Sequence, residues 1–230
     1  MTVLLTVSYK AIDPKKKLRT AGSRRRASQM VMNEYRQKVT NLANLLGSGK
    51  ISLLEWQQEM RLAMRQSWTL QLVIGSGGDQ SKIDSKEYLK LGTRLQEQYK
   101  YLERFANQIR EKGMSEAQIA MRSRMYMEAS KLIYWQQITG IALPAYPGDG
   151  STRCLVNCLC SWKIEYIRNK KGVVIGAYAT WQLGKAEHCK DCIDRSAKWV
   201  KIRVDVDNSR LSTAFKMRIA HKSTYRLRIA

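Results

Sequence analysis

The sequence predicts an α+β chain in which an N-terminal helical bundle is followed by a small β-rich module. Three observations predict it. Apolar residues recur at helical spacing across residues 28–140. From Trp162 onward, apolar and polar residues alternate as they do in a strand. All five cysteines fall between Cys154 and Cys192, inside that second region.

The first 27 residues read as an extended basic arm. Lys10, Lys15, Lys16, Lys17, Arg19, Arg24, Arg25 and Arg26 face one carboxylate, Asp13. Such a run is either a solvated tail or a contact for nucleic acid or a protein partner. Only residues 3–7 have the apolar content of a short strand.

Four helical stretches follow. Over residues 28–46, Val31, Tyr35, Val39, Leu42 and Leu46 form one face, and Gly47-Ser48-Gly49 ends it. Ser52 with Glu55 makes a capping box for a second helix, whose face is Leu53, Trp56, Met60 and Ala63. The glycine-rich stretch 75–79 breaks the chain. Asp84 or Ser85 caps a third helix with the cleanest stripe: Tyr88, Leu91, Leu95, Tyr99, Leu102, Ala106 and Ile109. Gly92 inside it costs about 1 kcal/mol against Ala and is expected to mark a close helix contact. Ser115 with Gln118 opens a fourth helix through Ile119, Tyr126, Ala129 and Ile133 to about Thr139. Short turns between four such helices predict a bundle over residues 28–140.

The texture changes at Ile141. Two prolines and two glycines within residues 143–150 make a linker or an ordered turn-rich loop. Trp162, Ile164 and Tyr166 alternate with polar residues, and Asn169-Lys170-Lys171-Gly172 reads as a turn into a second strand over 173–181. Val200, Ile202, Val204 and Val206 predict a third strand with one wet face. The module therefore spans residues 141–206, and residues 207–230 form a second basic tail, with 225–229 fitting strand or helix equally.

The cysteines carry the chemistry. Cys189-Lys190-Asp191-Cys192 is a C-x-x-C knuckle, a turn that places two thiolates on one metal. Cys154, Cys158 and Cys160 supply more thiolates from the other end of a hairpin. Four thiolates make the tetrahedral set that Zn²⁺ favours. Cys154, Cys158, Cys189 and Cys192 are the preferred ligands, with Cys160 and His188 as alternates. A structural Zn²⁺ would stabilise a module with a small core. An odd, clustered set of cysteines argues against a disulfide framework.

Enzyme templates fail in turn. His188 and His221 are the only histidines, so the H-x-E of zinc deaminases has no counterpart upstream of the knuckle. No phosphate-binding P-loop or G-x-S-x-G elbow occurs. A full thiolate set leaves no open metal position for catalysis. The chain is read as a non-enzyme.

Net charge points to a partner. Lys and Arg total 41 against 19 Asp and Glu in 230 residues, a formal charge of +22. That excess implies a polyanion or an acidic protein surface. No apolar stretch approaches the ~20 residues a membrane span needs. The N-terminus lacks a signal peptide's basic and apolar regions, so a cytoplasmic protein, or one carried in a particle assembled there, is expected.

The stretch from Leu143 through Cys160, LPAYPGDGSTRCLVNCLC, resembles the conserved block of tailed-bacteriophage head morphogenesis proteins, the minor head proteins of the Mu F-like group. So does WQLGKAEHCKDC, from Trp181 to Cys192. GKISLLEWQ, from Gly49, and QYKYLERF, from Gln98, look like the helical half of such proteins. The likeness covers about residues 28–200, and the two cysteine blocks are its specific part. In many relatives the C-x-x-C block precedes the other, whereas here it follows.

The resemblance implies a virion component of low copy number at the portal or inside the head, linked to head assembly and to DNA packaging or delivery. Its implied partners are portal or capsid proteins and double-stranded DNA, without sequence preference. Lys15, Lys16, Lys17, Arg24, Arg25 and Arg26 are the candidate DNA contacts of the arm. Arg210, Lys216, Arg218, Lys222, Arg226 and Arg228 are those of the tail. The alternative is a cellular zinc-ribbon DNA-binding protein.

Overall fold

The computed structural model describes residues 18, 20–141, 143–147, 151–154, 158, 160–184, 187–205 and 224–228. They form an α+β chain of six helices and one antiparallel sheet. Two compact units meet in sequence between Met127 and Glu128.

The first unit holds α1 (Ala21–Gly47), α2 (Leu53–Gly75), α3 (Ser85–Lys112) and α4 (Glu116–Glu128), which ends at the unit boundary. α2 packs against both α1 and α3. The capping signals act as read. Ser52 Oγ accepts from Glu55 N–H at 3.2 Å while Glu55 Oε2 accepts from Ser52 N–H at 2.7 Å. Asp84 accepts from Glu87 N–H at 2.8 Å, and Ser115 and Gln118 cap α4 reciprocally.

The core is built on α2. Trp56, Met60, Ala63, Met64, Trp68 and Leu72 are all buried. Trp56 meets Phe105 of α3 edge to face at 5.6 Å between centroids. Val31, Met32, Tyr35 and Val39 close the α1 side, and Leu91, Leu95, Leu102 and Ala106 the α3 side. One polar link is sealed within it: Ser28 Oγ lies 2.7 Å from Gln71 Oε1, and Gln71 Nε2 donates to the Ser28 carbonyl.

Four expectations change. α1 begins at Ala21, inside the expected arm, because Thr20 and Ser23 form a further capping box. The expected fourth helix is two: it breaks at Ala129-Ser130, whose carbonyls accept from Leu132 and Ile133 only three residues on, and resumes as α5 (Lys131–Thr139). Tyr88 is exposed, because the α3 stripe starts only at Leu91. Gly92 faces open space rather than a neighbouring helix. The tight approach is at Gly47, where a Cβ would run into the Glu116 side chain.

The second unit contains α5, β1 (Ser161–Arg168), β2 (Val174–Gln182), α6 (Lys190–Lys198), β3 (Ile202–Val204) and β4 (Thr224–Arg228). The sheet order is β3-β2-β1-β4, antiparallel throughout. The expected hairpin forms with Ser161 opposite Gln182 and Trp162 opposite Trp181. Asn169 builds its turn: its side-chain oxygen accepts from the N–H groups of Lys171 and Val173. Gly172 takes the positive φ of 76° that an L side chain resists.

One sheet face is aromatic core. Trp162 lies edge to face with Trp181 at 5.2 Å and stacks on Trp199 at 5.6 Å. The Trp162 indole N–H donates to the Ala145 carbonyl at 2.9 Å. Leu143, Ala145 and Tyr146 are buried, so the proline-containing stretch is an ordered loop in this core rather than a linker. The third strand is shorter than expected, since Val200 is exposed and pairing covers only Ile202–Val204. Residues 225–228 belong to a strand, β4.

No described helix is long and apolar enough to cross a membrane. The open surroundings of Gly92 make Gly92→Ala a stabilising change of about 1 kcal/mol, by helix propensity alone. Urea denaturation of the two proteins measures it; a loss of stability would mean that a Cβ at position 92 meets an obstacle.

Candidate metal centre

Two segments meet at the open end of the β1–β2 hairpin. The described residues 151–154, 158 and 160 precede β1, and Cys189 with its knuckle follows β2. Because Ser161 pairs with Gln182, both cysteine blocks begin from one end of the sheet.

α6 organises the site. Cys189 is its N-cap, with Cys192 N–H and Ile193 N–H donating to the Cys189 carbonyl at 3.0 and 3.2 Å. The knuckle turn thus runs directly into a helix. Asp191 accepts the Arg153 N–H at 2.7 Å and pairs with the Arg153 side chain at 3.7 Å. Arg195, one turn on, donates to the Ser151 carbonyl at 2.8 Å and to its hydroxyl at 3.1 Å. These bonds hold the loop carrying Cys154 against the helix carrying Cys192.

The thiols converge. Cys154 Sγ lies 3.5 Å from Cys189 Sγ and 3.6 Å from Cys192 Sγ. Cys158 Sγ lies 3.5 Å from Cys192 Sγ. Cys154, Cys158 and Cys192 are all within 4.8 Å of one another. Sulfur atoms around one tetrahedral Zn²⁺, with bonds of ~2.3 Å, are about 3.8 Å apart. All five cysteines are free thiols. The cluster is therefore compatible with a metal ion.

Cys160 belongs to the cluster as well, through a contact with the Cys192 thiol. Cys160 is buried and its Sγ lies 4.0 Å from His188 Nδ1. It precedes β1 directly, so sheet pairing of Ser161 constrains its backbone.

Electrostatics favour a cation here. Burial pushes the Cys192 thiol well above its ordinary range, and hydrogen bonds from Cys158 and Cys160 add to this. Burial also raises Cys154. At Cys189, burial acts upward, but the backbone N–H groups of Cys192 and Cys154 and the neighbouring thiols outweigh it and bring the thiol down to about 7. Thiols this close cannot all ionise unless positive charge sits among them, and a divalent cation supplies it as the protons leave.

The nucleic-acid candidates divide. Arg24 is a correction: it is 7 % exposed, and its Nε donates to the Leu18 carbonyl at 2.8 Å, because α1 begins before it and turns it inward. Arg25 and Arg26 are exposed on α1. Arg226 and Arg228 lie in β4, opposite Lys163 and Ser161 in register. Lys15, Lys16, Lys17, Arg210, Lys216, Arg218 and Lys222 fall outside the described residues. Sequence reading missed Asp191 and Arg195 as the clamps of the cysteine loop. A carboxylate between two knuckle cysteines was the one available signal.

No protein-family model, curated protein or solved structure matches the chain.

Proposed function

We propose that the chain is a non-enzymatic minor head protein of a tailed bacteriophage, acting at the portal or the inner capsid during head assembly and DNA packaging or delivery. The observation that carries this reading is the meeting of Cys154 and Cys158 with Cys189 and Cys192. The two sequence blocks that resemble head morphogenesis proteins are the two halves of one thiol cluster. In this reading they are retained together because neither completes a site alone.

The resident metal is Zn²⁺, held by Cys154, Cys158, Cys189 and Cys192. Cys154, Cys158 and Cys192 lie within 4.8 Å of one another and Cys189 joins them through Cys154; four soft thiolates suit this ion and would fill every position, so its role is structural. Cys160 stays a thiol beside His188. The net charge of +22 serves non-specific contact with double-stranded DNA. Virion and host cytoplasm during assembly are its two locations.

The metal assignment is checked by elemental analysis of the purified full chain. One zinc per chain is expected. Cys192→Ser weakens metal binding at least about 100-fold, more than the loss of an outer-shell partner does. Cys160→Ser retains full zinc. Equal zinc loss in both variants would replace this ligand set by one that includes Cys160.

The biological reading is checked by purifying the tagged chain from producing cells. Portal or capsid protein is expected with it in fixed ratio. Host chromosomal DNA without head proteins would overturn the reading and favour a cellular zinc-ribbon DNA-binding protein.

A further inference from the structure

The sheet has a second face. Along β1, Trp162, Ile164 and Tyr166 point into the aromatic core, so Lys163 and Glu165 point away from it. Their cross-strand partners on β2 are Thr180 and Tyr178. Tyr178 is 40 % exposed and sits opposite Arg203 of β3. Lys201 precedes β3 and is exposed, with its N–H donating to Thr180 Oγ1 at 3.2 Å. On the far side, register sets Arg226 opposite Lys163 and Arg228 opposite Ser161.

Charge is concentrated on this face. Lys163 bonds Glu165, and Lys163 and Lys201 together hold the Glu165 carboxyl below its ordinary range, the Lys163 hydrogen bond contributing most. Lys163 is thus in contact with the carboxylate, and Lys201 acts on it from farther away. Asp205 follows β3 at its end. Lys201 has a second peculiarity. Its φ is +50°, the only positive φ among described residues other than glycine. Glycine adopts that conformation freely, while lysine does so against strain. Strain kept at an exposed cation points to a use for that cation.

We infer that this outer sheet face is a docking surface for the phosphodiester backbone of duplex DNA, with Lys163, Lys201 and Arg203 as phosphate contacts and Tyr178 between them. The inference rests on the DNA contact proposed above and gives it a place within the ordered module. Charge complementarity selects the occupant, since cations spread over a paired sheet meet a regular row of phosphates. One exposed tyrosine is too little for the stacking platform that single strands need.

The test measures affinity of the full chain for a short random-sequence duplex by fluorescence anisotropy across a salt series. The variant combines Lys163→Gln, Arg203→Gln and Lys201→Gly, and a second variant carries Lys15→Gln, Lys16→Gln and Lys17→Gln. Each lost phosphate contact removes about 0.9 from the slope of log affinity against log salt, so the sheet variant is expected to lose about 3. Its zinc content and tryptophan emission should match the parent. If the triple variant does not fold, Lys163→Gln and Arg203→Gln are read singly for about 1 each. A steep parental slope that survives in the sheet variant but flattens in the arm variant overturns the sheet-face assignment alone. A parent whose affinity ignores salt overturns the DNA reading with it. Retained DNA binding with loss of head-protein recovery would give the face to an acidic protein and also overturn the inference.

Discussion

Ser161 pairs with Gln182 where the β1–β2 hairpin opens, and the geometry of the second unit follows from that pairing. An antiparallel hairpin returns the chain to the place it left. Residues just before β1 and residues soon after β2 must then be neighbours, however far apart they lie in sequence. Cys154, Cys158 and Cys160 lead into β1, and His188, Cys189 and Cys192 follow β2. Slipping the register by one residue would turn Trp162 outward and Lys163 into the aromatic core. The pairing of Trp162 with Trp181 therefore guards the thiol cluster as well as the core.

One residue, Arg195, bridges the tryptophan cluster and the cysteine loop through its side chain. Arg195 donates to Ser151, at the head of the cysteine loop, while its guanidinium lies over Trp181 at 5.4 Å and Trp199 at 5.0 Å. Its Nη1 is buried with no hydrogen-bond partner among the described residues. The two ring faces are what compensate that nitrogen electrostatically, since a desolvated cation over an aromatic face is attracted by the ring quadrupole. Arg195 ties the tryptophan cluster to the cysteine loop, so loosening either should loosen the other. Both bonds to Ser151 come from Nη2, and lysine in its place would lose the planar group that faces the two rings while that nitrogen reaches Ser151.

Much of this was legible because periodicity reports burial. The stripe Val31, Tyr35, Val39 and Leu42, the capping boxes at Ser52 and Ser115, and the alternation from Trp162 are local signals that the packing then uses. What escaped reading lacked such a signal. α6 has nine residues, mostly charged, with Cys192 its one buried side chain, so it has no apolar stripe to betray it. It stands because the knuckle starts it and the Asp191 and Arg195 bonds hold it. Gly92 was misread for a related reason: a helical glycine signals either a close neighbour or nothing, and only the packing separates the two. The cysteine blocks were legible as a metal-type pattern, but the turn of Arg24 into the first unit was not. That turn depends on Thr20 and Ser23, a pair outside the usual capping motif.

The small module carries two burdens at once. Its core is one sheet face with a tryptophan cluster, and its other face carries Lys163, Lys201 and Arg203, the two lysines acting on the Glu165 carboxylate. Like charges on a compact surface repel one another and weaken the folded state. A metal held by four thiolates stabilises the folded state without enlarging the core, so it offsets both the small core and the repulsion. A bound polyanion acts in the same direction, since a ligand that binds only the folded form adds stability in proportion to the logarithm of its concentration over Kd. In the proposed role these two effects are ordered in time. On that proposal the metal would hold the cationic sheet together while the head is empty, and DNA would neutralise the face once it arrives. The strained Lys201 fits this order, because in that role the folded sheet would meet its cost before any phosphate were present to offset it.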